Sequence, residues 1–371
     1  MSKDNEIIKF STKLSFLYLF FGIIGFVMII LPMVFYNSNK IDSIGTIGDA
    51  VGGILNPIIA IGAALLTFLA FYIQYQANEE VRKQFKIQQF ESQFYEMIRL
   101  HKENVNEMKI VGYEPIIETS IQKDGKDTVV LKTETITRST RITEGRKVFV
   151  TMATELIACY EILEFYNHLW DTKIKEIHLL KLAYQFFFFG SKSEIVSSKN
   201  IEKAIIENFK IELNRISQLH KNSSGEKNSI SGLNSKTIKL YFKYTPFSGH
   251  ENRLGHYYRN LYSTVKYVVK KEKSGLFDYQ QSREYLKILR SQMSNDEQLM
   301  LYYNYIIGFG GDWEDDNNKF FSDYRMLHNL PVDSVRYVDF PRDVFKKQIA
   351  KIKEETEGKE EMFEWGDTKQ Q

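Results

Sequence analysis

His256 and Arg259 stand three residues apart, and Arg253 stands three residues before His256, in the stretch Tyr244 to Lys271. A loop, Thr245-Pro246-Phe247-Ser248-Gly249, precedes them, and the pattern predicts a helix from about Leu254. On that helix Leu254, Tyr258, Leu261, Val265 and Val268 form an apolar stripe, while His256, Arg259, Ser263, Lys266 and Lys270 form a polar, basic one. A histidine and an arginine one turn apart, close to a glycine-containing loop, can bind a phosphate. They can also cleave RNA, with His256 moving a proton and Arg259 stabilising the charge that develops on phosphorus. The plainer alternative is a solvated basic face with His256 hydrogen-bonded to a local carbonyl. His256 and Arg259 are the candidate catalytic pair; Arg253, Lys266, Lys270, Arg290 and Asn304 are the candidate binding residues.

Arg290 sits near the end of a further helix, where a carboxylate such as Glu297 or the terminal carbonyls would occupy it. Ser294 and Glu297 have capping-box spacing, so one helix stops near Met293 and the next starts at once. Asn304 follows two tyrosines in an apolar helix, which suits a buried hydrogen bond. Arg325 and His328, three apart, are a weaker signal of the same chemistry. Gly308-Phe309-Gly310-Gly311 lacks the lysine of a phosphate loop, and Asp312, Glu314, Asp315 and Asp316 would repel phosphate. Those acids match no cation-binding spacing. No Walker motif, dinucleotide fingerprint, zinc-helix motif or nucleophile elbow occurs, so neither cofactor nor metal is expected. The lone cysteine, Cys159, excludes an internal disulfide and reads as a small core residue.

These residues need elements to hold them. The 371 residues carry a net charge of only +2, so affinity for nucleic acid must be argued locally. Two charge-free runs of 23 residues, Leu14 to Tyr36 and Val51 to Ile73, are each long enough to cross a membrane. Lys3, Lys9 and Lys13 precede the first run, and Arg82, Lys83 and Lys86 follow the second. The intervening loop, Asn37 to Ala50, has only Lys40 against Asp42 and Asp49. This asymmetry predicts a two-helix transmembrane hairpin in the cell membrane, multi-pass, with both termini cytoplasmic. Small residues in the second run (Gly52, Gly53, Ala60, Gly62, Ala63, Ala64) suit close helix contact or ordinary membrane-helix composition equally well.

The fold class that follows is mainly α: residues 1–73 as tail and hairpin (spans about 14–36 and 51–73), 74–111 as a juxtamembrane amphipathic helix, 112–145 as a β-hairpin-like insert, 146–353 as a helical cytoplasmic domain and 354–371 as a charged, frayed tail. The juxtamembrane helix should run from Gln74 to Met108 and end at Gly112 and Pro115. Its stripe (Val81, Phe85, Phe90, Phe94, Met97, Ile98, Val105, Met108) packs on the domain behind it or forms a seam between subunits. Ile116 to Thr143 alternates, with a turn signal at Lys123-Asp124-Gly125-Lys126. Helices are expected at Lys147–His168, about Ile174–Phe189 and about Lys199–Leu219, and a loop at Asn222–Ser235.

Four stretches, in order, resemble the phage abortive infection family, the group around the lactococcal abortive infection protein C. They are Gly-Gly-Ile-Leu-Asn-Pro at Gly52 to Pro57, Gln88-Gln89-Phe90-Glu91-Ser92-Gln93-Phe94-Tyr95, Gly145-Arg146-Lys147-Val148-Phe149, and Gly255-His256-Tyr257-Tyr258-Arg259-Asn260-Leu261-Tyr262 with Leu289-Arg290-Ser291-Gln292-Met293-Ser294 to Asn304 behind it. The likeness spans about residues 45–310; the hairpin insert and the part after about 310 do not align. It implies a bacterial antiviral defence protein that stops phage multiplication with loss or arrest of the infected cell. It brings no catalytic assignment. Helical antiviral ribonucleases often carry an arginine four to six residues before a histidine, and the spacing of Arg253 and His256 is shorter. Three functions therefore stand side by side: a membrane-anchored defence protein of unassigned effector activity, a tethered RNA-cleaving or nucleic-acid-binding effector, and a membrane scaffold unrelated to phage. The implied partners are the lipid bilayer, a phage component as trigger, nucleic acid, and a second copy through the juxtamembrane helix.

Overall fold

The absence of proline between Ile41 and Pro57, and of both glycine and proline from Ala63 to Val111, lets one helix run very far. In a computed structural model that describes residues 2–35, 41–122, 131–195, 201–223, 229–231 and 237–367, helix α2 runs unbroken from Ile41 to Glu107, after α1 at Ser2–Phe35. The chain divides into two compact units, Met1–Glu91 and Ser92–Gln371.

In the first unit the expected loop at 37–50 is corrected: residues 41–50 belong to α2, and residues 36–40 lie outside the described ones. Ile41, Ile44 and Ile47 recur every three residues, so the helical pattern begins before the charge-free run does. Pro57 is accommodated within α2. Gly62 is buried, and a Cβ added there would meet the Tyr18 ring at 2.1 Å, so α1 and α2 touch where the small residue allows it. Gly52 and Gly53 have open space instead. Phe16, Phe26 and Met28 on α1, and Ile54, Phe68 and Phe71 on α2, are exposed. Among the described residues one helical segment, Gly52–Glu107, is long and apolar enough to cross a membrane; the apolar stretch of α1, Ser15–Met28, is shorter. A two-span hairpin is therefore not established.

The second unit is mainly helical: α3 (Lys147–Leu169), α4 (Glu176–Phe189), α5 (Lys203–Asn222), α6 (Glu251–Lys273), α7 (Tyr279–Arg290), α8 (Asn295–Ile307), and the short α9 (Pro341–Val344) and α10 (Lys346–Glu355). Helix α3 is central, packing on α4, α5 and α8, while α6 packs on α4 and α7. The last turns of α2 close one side. Phe94 meets the Tyr285 ring edge-on at 5.4 Å, His101 lies 5.2 Å from the Tyr257 ring, and Ile98, Val105 and Met108 are buried. The stripe thus packs on its own domain over residues 94–108, whereas Val81 and Phe85 are exposed.

Strands β1 (Lys109–Gln122) and β2 (Leu131–Glu144) pair antiparallel from Lys109↔Glu144 to Gln122↔Leu131. The hairpin is longer at its base than 112–145, and Gly112 and Pro115 lie inside β1 rather than ending a helix. The helix stops at Glu107 because the ladder takes over: the Gly145 N–H, at φ +62°, donates to the Met108 carbonyl at 3.0 Å. The turn signal at 123–126 lies outside the described residues. Within the expected loop Asn222–Ser235, α5 reaches Asn222, and Ser229–Ser231 pairs with Thr237–Lys239 as β3 and β4, with Ile230 opposite Ile238. The remaining residues there, 224–228 and 232–235, are not described. Three-residue strands in a polar stretch leave too short a pattern to read.

The charged C-terminal stretch is not frayed through residue 367. Met362 and Phe363 are fully buried, and the Asp367 carboxylate accepts from both of their N–H groups at 3.0 Å. Two apolar anchors outweigh the charges around them.

Gly112 is a test of this packing. A Cβ there would lie 2.1 Å from the Lys243 carbonyl oxygen, whose neighbour Tyr113 donates its N–H to that same oxygen at 2.8 Å. Gly112→Ala should lower stability by about 1–3 kcal/mol, read by thermal unfolding of the full chain in detergent. Gly53→Ala, in open space on a helix, should leave it unchanged or slightly raised.

Candidate functional site

Helix α6 is placed by its apolar stripe: Leu254, Leu261, Val265 and Val268 are fully buried and Tyr258 nearly so. The opposite stripe, His256, Arg259, Ser263, Lys266 and Lys270, is exposed. Arg259 Nη2 lies 3.5 Å from His256 Nδ1, and Lys266 sits over the Tyr262 ring at 5.3 Å. Arg253 is bound to the backbone: its Nε donates to the Lys109 carbonyl at 2.9 Å and its Nη1 lies 3.3 Å from His250 Nδ1. Asn304 is buried and donates to the Tyr184 hydroxyl at 2.8 Å, as its setting between apolar residues implies.

Arg290 lies elsewhere. It is the last residue of α7, and its Nη1 donates to the Arg325 carbonyl at 3.1 Å. Glu297, its expected partner, is taken by others. A cleft of about 500 Å³ brings Arg290 together with Arg283, Arg325, His328 and Tyr324, and its lining does not include His256 or Arg259. The sequence-predicted residues therefore fall into two places, an exposed helix face and an arginine cleft. Burial pulls Arg290 and Arg325 below the usual arginine range, and the nearby Arg283 charge adds to this. Burial likewise lowers His328, whose Nδ1 lies 2.9 Å from the Met362 carbonyl and so must carry the proton.

Of two buried carboxylates, the sequence points to Glu297 through its capping-box spacing with Ser294 but does not single out Glu155. Glu155 on α3 accepts from the Tyr244 hydroxyl, from the Phe247 N–H at 2.5 Å, and pairs with His250 Nε2 at 2.7 Å. The signal was present: Val148, Met152, Glu155, Cys159, Ile162 and Tyr166 alternate in steps of four and three, so Glu155 occupies a core position. Both Glu155 and His250 are closed off from solvent, which makes this a structural node that fixes the loop leading into α6. Burial, then the Glu155 charge, push Tyr244 well above the usual tyrosine range.

Glu297 forms the second node. The capping box with Ser294 is complete, and the same carboxylate accepts from the Tyr257 hydroxyl at 2.9 Å. Arg146 Nε lies 3.5 Å away, and Arg146 Nη2 donates to the Gln292 carbonyl at 2.5 Å. Among the acids after Gly311, Glu314 accepts from the Ser322 hydroxyl at 2.6 Å and from the N–H groups of Phe321 and Ser322. No group of three His, Cys, Asp or Glu residues that could hold a metal occurs among the described residues.

Glu155→Ala should cost about 3–5 kcal/mol, because it strands a buried histidine, a hydroxyl and an amide together. His256→Ala, on an exposed face, should stay within about 0.5 kcal/mol of the parent. Parallel denaturation curves of the two full-length variants in detergent compare them directly.

Residues 249–335 match the family model described as "Putative phage abortive infection protein" (putAbiC). No curated protein and no solved structure matches the chain. The matched segment begins one residue before His250 and takes in α6, α7, α8, the basic helix face and most of the arginine cleft. Residues 249–335, which carry the α6 face and the Arg283, Arg290, Arg325 and His328 part of the cleft, are thus similar to the phage abortive infection family model.

Proposed function

We propose that this chain is a membrane-anchored bacterial protein that defends against phage by abortive infection. The family match over residues 249–335 carries the reading. The anchoring is supported by the helix Gly52–Glu107, by the exposed phenylalanines of α1, and by the lysines and arginines that flank both apolar runs. In this reading both runs span the cell membrane, both termini are cytoplasmic, and the helical domain meets a phage component that triggers it. The exposed Val81 and Phe85 offer a second copy a place to pair.

A second reading uses the α6 face as an effector site on nucleic acid. The exposed His256–Arg259 pair favours it, since both groups are free to approach a phosphodiester. Phage plating separates these readings. Cells carrying the chain should reduce plaque formation, and deletion of residues 1–73 should abolish the protection. Undiminished protection by the deleted chain would end the anchoring claim. Full protection by the well-folded, membrane-inserted double variant His256→Ala, Arg259→Ala would end the catalytic use of that pair.

A further inference from the structure

The arginine cleft holds more cationic charge at its floor than the chain neutralises there. Arg283 Nη1 donates to Glu360 Oε2 at 2.7 Å, and Arg325 Nη2 lies 3.5 Å from that same oxygen. Arg290 has a single hydrogen bond, to the Arg325 carbonyl, and pairs with no carboxylate among the described residues. Two guanidinium groups thus share the Glu360 carboxylate, and a third, that of Arg290, lines the same cleft without contacting it. The other acids of the cleft, Glu284, Glu361 and Glu364, are exposed; Glu364 accepts from Asn329 at 2.6 Å and acts on Arg290 through its charge without a direct ion pair.

A second observation points the same way. The Arg325 side chain is only 5 % exposed, and its Nε has no hydrogen-bond partner. Burying an arginine with an unsatisfied donor costs free energy unless something gives it a partner. Arg325 is held in this position by a left-handed backbone, φ +58°. Its neighbour His328, protonated on Nδ1 toward Met362, has Nε2 left as an acceptor when neutral. Tyr324 adds an aromatic side chain to the lining. Planar guanidinium forks suit the oxygens of a phosphate, and about 500 Å³ is enough for one nucleotide.

We propose that this cleft binds the phosphate of a nucleotide, free or at the end of a short oligonucleotide, and that Glu360 fills its place in the ligand-free chain. Glu360 comes from the stretch after the matched domain, held down by Met362 and Phe363. An incoming phosphate displaces one carboxylate and gains three guanidinium groups. The site extends the defence reading by giving its domain a ligand, and it is separate from the α6 face.

The test uses the purified full chain in detergent, with a fluorescent ATP analogue and a short 5′-phosphorylated oligoadenylate as probes. The parent should bind at least one of them. Arg290→Ala should weaken binding by about tenfold or more, and Arg290→Lys, which keeps the charge but loses the fork, should fall between. Glu360→Gln should tighten binding by about threefold to tenfold, and Lys102→Ala, exposed on α2 and outside both candidate sites, should leave it unchanged. Unchanged melting temperatures for both Arg290 variants assign the loss to the site. No binding by either the parent or Glu360→Gln overturns the proposal, as does binding that ignores Arg290. Inorganic phosphate or phosphatidylglycerol vesicles that compete as well as the nucleotides would overturn the ligand class. A chain that protects cells yet binds neither probe ends this proposal and leaves the defence reading intact; one that binds but gives no protection does the reverse.

Discussion

A carboxylate taken out of water must be met by donors from several directions, and the second unit is organised around one that is. Glu297 is inaccessible to solvent, and burial alone would push its carboxyl upward. Ser294 caps it from its own helix, Tyr257 reaches it from α6, and Arg146 approaches from the start of α3. His101 of α2 lies 3.8 Å away with neither ring nitrogen hydrogen-bonded. Four elements therefore have their positions set by one side chain. Tyr257, Gln292 and Ser294 of the family-matched segment 249–335 meet here with Arg146 and Phe149 at the start of α3, the Phe149 and Tyr257 rings 4.9 Å apart. The matched segment thus supplies much of a folding node, which in turn fixes the exposed α6 face.

Glu155 does for the loop before α6 what Glu297 does for the helix itself. Its acceptors are matched by Tyr244, Phe247 and His250, and the loop is pinned from the other side by the His250 N–H donating to the Phe188 carbonyl at 2.8 Å. Gly249, at φ +91°, passes so close to Phe189 that a Cβ would lie 2.7 Å from its carbonyl oxygen. The glycine-containing loop before α6 is therefore packed against the α4 C-terminus. The histidine that does chemistry with a carboxylate is His250, and that chemistry is structural, whereas His256 remains on the open face.

What could be read beforehand was local. Periodicity placed the buried and exposed stripes of α6, the capping box of α8, the core setting of Cys159 and the buried amide of Asn304, because each depends on neighbours within two helical turns. The strands of the hairpin were legible from alternation, though not their start at Lys109, which is set by the Gly145–Met108 hydrogen bond across 37 residues of sequence. The arginine cleft was out of reach for the same reason. Arg283, Arg290, Arg325, His328 and Glu360 come from three stretches joined only by the tertiary fold, and no spacing rule links them. The C-terminal stretch misled because its charge density suggested solvent, while two apolar residues within it decided the outcome.

The two kinds of carboxylate in this chain differ in how completely they are satisfied, and that difference separates structure from function. An ionised carboxylate offers about four lone-pair sites and a guanidinium five N–H donors. Glu155 and Glu297 each meet three or more partners inside a closed core, so nothing further can enter. At the arginine cleft the imbalance is reversed: Glu360 is partly exposed and contacted by two guanidinium groups, while Arg290 commits one donor to a backbone carbonyl and Arg325 leaves Nε unpaired. Excess buried donors cost stability unless a ligand rich in acceptors repays it. The core acids are thus met by donors on several sides, whereas Arg325 and Arg290 in the cleft keep donor capacity that an acceptor-rich ligand would match.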